Sequence, residues 1–200
     1  MATFEIAGGK RLKGEITPQG AKNETLQILC AVLLTPEKVT IKNIPNIRDV
    51  NKLIELIELM GVEVNRLSTS ECTFRAKNVD LEYLKTDEFK AKAAALRGSI
   101  MIVGPMLGRF GVGYIPQPGG DKIGRRRVDT HFVGFQNLGA TFTFDQKQSF
   151  YEVKGDNLKG AYMLLDEASV TGTANIVMAA VLTPGKTTIF NLISGIYHPD

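Results

Sequence analysis

The chain repeats one unit of about 74 residues, and a repeat of that length limits the possible folds before any single residue does. Ala31-Val32-Leu33-Leu34-Thr35-Pro36-Glu37-Lys38-Val39-Thr40-Ile41-Lys42-Asn43 returns as Ala179-Ala180-Val181-Leu182-Thr183-Pro184-Gly185-Lys186-Thr187-Thr188-Ile189-Phe190-Asn191. Eight of the thirteen positions are identical, at an offset of 148 residues. Midway between them, Met106-Leu107-Gly108-Arg109-Phe110-Gly111-Val112-Gly113-Tyr114-Ile115 carries the same apolar helix end, polar turn and short strand, which halves the period. Three copies of one unit are therefore laid end to end, each burying its apolar face against its siblings. The third is expected to be unfinished.

The first copy shows what a unit contains. Leu26, Leu29, Cys30 and Leu33 recur at helical spacing after the polar run Gly20 to Glu24, and Pro36 ends that helix. Val39 to Ile41 reads as a short strand. Asp49 is expected to cap a second helix with the apolar stripe Val50, Leu53, Ile54 and Ile57, closed by Gly61. Val62 to Val64 and Cys72 to Arg75 alternate as a strand pair. In the second copy the helix Val128 to Leu138, closed by Gly139, lies 78 residues on, so four extra residues fall between Pro116 and Arg127. A loop lengthened in one copy of a repeat is where function is expected.

Composition excludes several classes. Two hundred residues with 44% apolar content can bury a core. No apolar run reaches membrane-spanning length, and the first residues do not resemble a secretion signal, so the chain reads as soluble and cytoplasmic. Cys30 and Cys72 fit neither a zinc site nor a disulfide framework and read as packed thiols. A formal charge of +3, with the cations dispersed apart from Arg125-Arg126-Arg127, favours a small anionic ligand over a nucleic acid.

An anion has a natural seat in such a repeat. If the three first helices begin at equivalent points, Lys22-Asn23, Arg97-Gly98-Ser99 and Ser169-Val170-Thr171-Gly172 occupy the same place in each unit. Helix starts present unpaired N–H groups and the positive end of the helix dipole, so converging starts form an anion receptor, to which Lys22 and Arg97 add full charges. Taken singly, Asn23, Ser99, Ser169 or Thr171 is an ordinary cap and each cation a solvated side chain. Three in register favour the receptor.

These residues, in this order, resemble the UDP-N-acetylglucosamine enolpyruvyl transferase family of bacterial cell-wall synthesis. The resemblance rests on Gly20-Ala21-Lys22-Asn23, Arg97-Gly98-Ser99, Pro118-Gly119-Gly120, Ile123-Gly124, Arg126, Val128-Asp129, His131, Leu158-Lys159-Gly160-Ala161 and Ser169-Val170. It spans nearly the whole chain but about half of the family's usual length. It implies an α/β (α+β) fold of βαβαββ-type repeats with helices inside and sheets outside. Residues 1–20 would be strands belonging to a second domain, and residues 21–200 the first domain with its third repeat truncated. The orphaned strand Phe4 to Ile16 is then an exposed edge able to pair with another copy, and this chain alone is expected to be inactive.

The implied reaction moves the enolpyruvyl group of phosphoenolpyruvate to the 3′-hydroxyl of UDP-N-acetylglucosamine, which demands an acid and a phosphate clamp. By motif match, Lys22 and Arg126 hold phosphoenolpyruvate with Asn23 beside them. Asn23, Arg97, Arg126, Val128, Asp129, Ser169 and Val170 bind the nucleotide sugar. No metal or organic cofactor is implied. Asp121 stands where most members carry a cysteine, and it takes the role of general acid. Its ordinary pKa of about 4 suits that role only if bound phosphoenolpyruvate raises it when the loop closes. Since fosfomycin alkylates the cysteine and a carboxylate is a poorer nucleophile, the resemblance implies fosfomycin resistance.

Three further positions depart from the family pattern. Arg127 replaces a usual proline, Glu167 a common basic residue and Thr171 a common glycine. His131 is assigned packing or capping in preference to catalysis. Two alternatives stay open: the related 3-phosphoshikimate 1-carboxyvinyltransferase, whose lysine-serine pair is not found here, and a non-catalytic UDP-sugar-binding fragment.

Overall fold

The computed structural model describes residues 3–116, 128–146, 150–165 and 169–191. Within them two complete copies of one unit are followed by the start of another. The first copy opens with α1 (Lys22–Ala31), which tightens into a 3₁₀ turn at Val32–Leu34 before Pro36. It continues through β1 (Lys38–Ile41), α2 (Arg48–Leu59), β2 (Glu63–Arg66) and β3 (Cys72–Arg75). The second begins with an added helix α3 (Asp87–Ala94) and a 3₁₀ segment Arg97–Ile102 that leads directly into α4 (Val103–Phe110). Then follow β4 (Val112–Pro116), α5 (Asp129–Asn137), β5 (Thr141–Asp145) and β6 (Phe150–Lys154). The remaining elements are β7 (Tyr162–Leu165), α6 (Val170–Ala180) and β8 (Thr188–Asn191).

The two sheets show that the repeat is structural as well as textual. Both have three antiparallel strands, in the orders β1-β3-β2 and β4-β6-β5. Arg75 faces Lys38 on one side and Glu63 on the other, and Lys154 faces Val112 and Thr141 in the same way. Gly61 and Gly139 close α2 and α5 with φ of 91° and 98°, a left-handed turn that an L side chain resists. The third copy pairs β7 with β8 in parallel across α6, the arrangement a strand-helix-strand crossover requires.

The helices lie inside. The stripe Val50, Leu53, Ile54 and Ile57 of α2 is almost fully buried, as are Leu29, Cys30 and Leu33 of the first helix. At about 1.5–3 kcal/mol for each such side chain, this burial is the main stabilising contribution. Asp49 does not cap α2: the cap position is Ile47, which has no side-chain oxygen, and Asp49 lies in the first turn. The two cysteines are free and buried, as expected of packed thiols. Residues 3–20 carry neither helix nor strand, and Phe4, Ile6, Leu12 and Ile16 are exposed. The second helix expected near Tyr197 lies outside the described residues.

Inner helices meet at backbone distance. A Cβ on Gly104 of α4 would fall 2.2 Å from the Asn175 carbonyl oxygen of α6, and one on Gly108 would fall 2.8 Å from that of Ala179. Between units, the guanidinium of Arg109 donates to the carbonyls of Leu33 and Ala76 at 2.9 and 2.8 Å, fastening the end of α4 to the first copy. Gly104→Ala is therefore expected to force α4 and α6 apart and to cost about 1–3 kcal/mol, read as a lower urea midpoint. An unchanged midpoint would show that the contact is slack.

Two groups make the core sensitive to alkali. Burial raises the pKa of the Cys30 thiol, and burial together with the nearby Glu152 pushes the Tyr114 hydroxyl up to about 12. The unfolded chain loses these protons at lower pH than the folded one, so the folded state binds more protons and its stability falls as pH rises. Denaturant titrations should show stability declining above about pH 9, where the unfolded groups begin to ionise.

Candidate functional site

The starts of the inner helices are joined in pairs, by an ion pair and by packing contacts. Lys22 and Asn23, both exposed, open α1, whose cap residue Ala21 has no side-chain oxygen to accept from the first-turn N–H groups. Lys22 forms an ion pair with Asp49 in the first turn of α2, so the acid read as a cap holds the lysine instead. Arg97, exposed, begins the 3₁₀ segment, and the adjacent Gly98 lies against Leu26, one turn into α1. Ser169 precedes α6 and accepts from the Gly172 N–H at 3.1 Å, a helix cap in the ordinary sense. Gly172 packs on Thr130 of α5, which sets Asp129 beside the start of α6.

The assignments of caps divide accordingly. Ser169 caps; Ser99 is buried and donates to the Ala93 carbonyl at 2.7 Å, closing the turn between α3 and the 3₁₀ segment. Asn23 and Thr171 are exposed on the first turns of their helices. Val128, the cap position of α5, is partly buried, and Val170 is 70% exposed, a large apolar area left open beside the helix starts. Asp121 and Arg126, the expected acid and the expected second phosphate ligand, lie outside the described residues, as do Arg127 and Glu167.

Sequence reasoning missed the residue that joins these segments. Asn175, in the second turn of α6, is completely buried. Its Oδ1 accepts from the Gly104 N–H at 2.8 Å, its Nδ2 donates to the Ile100 carbonyl at 2.9 Å, and Nδ2 also lies 3.0 Å from His131 Nδ1. His131 is buried in the first turn of α5, in keeping with a packing role. The available signal was an asparagine inside the otherwise apolar run Ala174 to Ala180, where an unpartnered amide would be costly. Among the described residues, no cluster of three or more His, Cys, Asp or Glu is placed to hold a metal ion, and no helix is long and apolar enough to cross a membrane.

A family model described as EPSP synthase (3-phosphoshikimate 1-carboxyvinyltransferase) matches residues 6–200. The chain belongs to the EPSP synthase family. Among relatives, UDP-N-acetylglucosamine 1-carboxyvinyltransferases of Bacteroides fragilis and Bacteroides thetaiotaomicron are each 62% identical over 96% of this chain, and that of Porphyromonas gingivalis is 58% identical. The chain spans 44% of the length of each of these relatives. Among solved structures, the enolpyruvyl transferase NikO from Streptomyces tendae superposes with a TM-score of 0.72 at 18% identity, covering 91% of this chain and 42% of that one. An EPSP synthase from Acinetobacter baumannii gives 0.65 at 18% identity, over 92% of this chain and 41% of the other. Both likenesses speak to the fold, and they agree with the α/β architecture of helix-cored repeats.

Two substitutions separate the roles of these helix starts. Ser169→Ala removes a cap and should lower stability by about 1 kcal/mol. Asp49→Asn breaks a half-exposed ion pair and should lower it by less, within about 1 kcal/mol. Urea midpoints of the two variants check the order, and a larger loss for Asp49→Asn would make the ion pair a structural element.

Proposed function

We propose that this chain forms the first domain of an enolpyruvyl transferase acting on UDP-N-acetylglucosamine, the first committed step of peptidoglycan synthesis. What carries the reading is 58–62% identity to transferases named for that substrate over nearly the whole chain. The Lys22–Asp49 ion pair and the packing of Gly98 on Leu26 and of Gly172 on Thr130 are compatible with it. The shared fold alone does not separate this reaction from transfer to 3-phosphoshikimate; the shikimate enzyme's usual lysine-serine pair and glycine-threonine-arginine segment are not found in this sequence, which favours the UDP-sugar. A cytoplasmic location follows from the reading, since both substrates are cytoplasmic metabolites.

The chemistry assigns each residue a task. Asp121 protonates carbon 3 of phosphoenolpyruvate while the sugar 3′-oxygen bonds to carbon 2 and gives its proton to an aspartate that the family resemblance places in the second domain. The resulting tetrahedral intermediate returns a carbon 3 proton to the Asp121 carboxylate as its bond from carbon 2 to the phosphate oxygen breaks, leaving the enolpyruvyl ether and inorganic phosphate. Lys22 and Arg126 hold the phosphate and carboxylate, and their charge stabilises the departing phosphate. Asn23 contacts the sugar. Arg97 and the exposed backbone at Val128-Asp129 and Ser169-Val170 receive the uridine diphosphate, the Ser169 end of α6 presenting its positive dipole to an anion.

The test is a phosphate-release assay on the full-length protein carrying this chain, with each acceptor offered in turn. Turnover with UDP-N-acetylglucosamine and none with 3-phosphoshikimate is expected, and the reverse would overturn the assignment. Fosfomycin should leave activity intact in a protein with Asp121, and Asp121→Cys should become sensitive to time-dependent inactivation. Loss of activity with the drug's mass attached to Asp121 would refute the carboxylate's assigned inertness.

A further inference from the structure

We propose that Asn175 is the positioning residue of the nucleotide-sugar side of the site, one buried carboxamide that sets the spacing of the segments carrying Arg97, Asp129 and Ser169-Val170. The inference rests on reading those residues as UDP-sugar contacts. Its geometry does not. Ile100 lies three residues after Arg97, His131 two after Asp129, and Asn175 itself six after Ser169, so two hydrogen bonds of the carboxamide reach the Arg97 and Asp129 segments from the helix that Ser169 begins. The third partner, the Gly104 N–H, belongs to α4 and ties the same amide to the helix that follows Arg97.

The hydrogen-bond directions are forced. A backbone N–H only donates, so the atom facing Gly104 must be the amide oxygen, and the NH₂ must face Ile100 and His131. The Ile100 carbonyl takes one hydrogen. The other points at His131 Nδ1, which therefore accepts, so the imidazole is the neutral tautomer with its proton on Nε2. Apolar contacts between these helices, such as Gly134 against Ile176, tolerate sliding; a three-way hydrogen-bonded junction at 0% exposure does not.

Asn175→Asp keeps the size and the oxygen facing Gly104 but removes both donations. In the full-length protein carrying this chain, assayed well below its melting temperature, we expect the KM for UDP-N-acetylglucosamine to rise at least tenfold while kcat at saturation stays within about threefold. A residue that only stabilises the fold would instead lower apparent kcat in proportion to the unfolded fraction and leave KM unchanged, and that result overturns the proposal. Should Asn175→Asp not fold, Asn175→Ala is measured in the same way. A second readout needs no substitution: ¹⁵N spectra should show His131 Nδ1 unprotonated and shifting when UDP-N-acetylglucosamine is added. A protonated or unresponsive Nδ1 counts against the junction. A wild-type protein that turns over no UDP-N-acetylglucosamine overturns the substrate reading and this inference with it, whereas an active wild type with an unchanged KM in the variant overturns the positioning role alone.

Discussion

Backbone contact between α4 and α6 is the constraint on which the other features depend. Helices can approach so closely only where one of them lacks side chains, and Gly104 and Gly108 supply that gap on α4. The approach excludes water from the start of α4, where a helix normally leaves N–H groups to solvent or to a cap. A buried donor there must be satisfied by the opposing helix. Leucine at position 175 would leave it orphaned, and a longer glutamine would not fit against a helix at backbone distance. Asparagine is short enough, and it carries both an acceptor for Gly104 and donors for Ile100 and His131. The glycines and the asparagine are thus one solution to one problem, each making the other necessary.

That solution lies one turn behind the helix starts, which is why packing and site are coupled. Ser169 uses its hydroxyl to satisfy the first turn of α6, while α1 begins with alanine at its cap and a lysine just inside. A cation at the positive end of a helix is unfavourable unless an anion is near. Asp49 supplies one from the neighbouring helix, where its own position in the first turn is favourable. Asp49 therefore holds Lys22 at the start of α1, where, on the proposed reading, an incoming phosphate would meet both its charge and the open N–H groups. The pair is half-exposed, so solvent screens it and a ligand bearing several negative charges can compete for the lysine.

Local chemistry made much of the fold legible in the sequence. Gly61 and Gly139 mark helix ends because their backbone needs positive φ, and Pro36 and Pro184 mark turns that repeat with the unit. Helix α3 went unread although Thr86, followed by Asp87 and Glu88, is a start signal, and Thr86 does accept from the Phe89 N–H. Contacts across units were not legible. Asn175 meets partners 75, 71 and 44 residues away, and Arg109 reaches Leu33 and Ala76 over 76 and 33. Asp49 has the residue type of a cap and the position of one to within two residues, and only the third dimension reveals that Lys22 competes for it. Of the site, the helix starts were legible because capping and charge are local, and the junction behind them was not because it is built by tertiary contact alone.

The duplicated architecture also explains how one connection can be longer in sequence than its counterpart without disturbing the sheet. From β1 to β4 the offset is 74 residues and from the end of α2 to the end of α5 it is 78, yet the strands on either side keep the same order and equivalent pairing. Four residues added to a connection cost little closure entropy. Here the chain leaves after β4 and returns at Val128, whose helix begins beside the Ser169 end of α6 through the Thr130–Gly172 contact. The corresponding connection in the first copy returns instead at the start of α2, where Asp49 is already engaged with Lys22. One unit has kept its connection short and spends its helix start on an internal ion pair; the other has lengthened it at a helix start next to a capped neighbour. A repeat whose copies share a scaffold can diverge in this way, because the buried helix faces and the sheets carry the stability and the connections between strand and helix are free to vary.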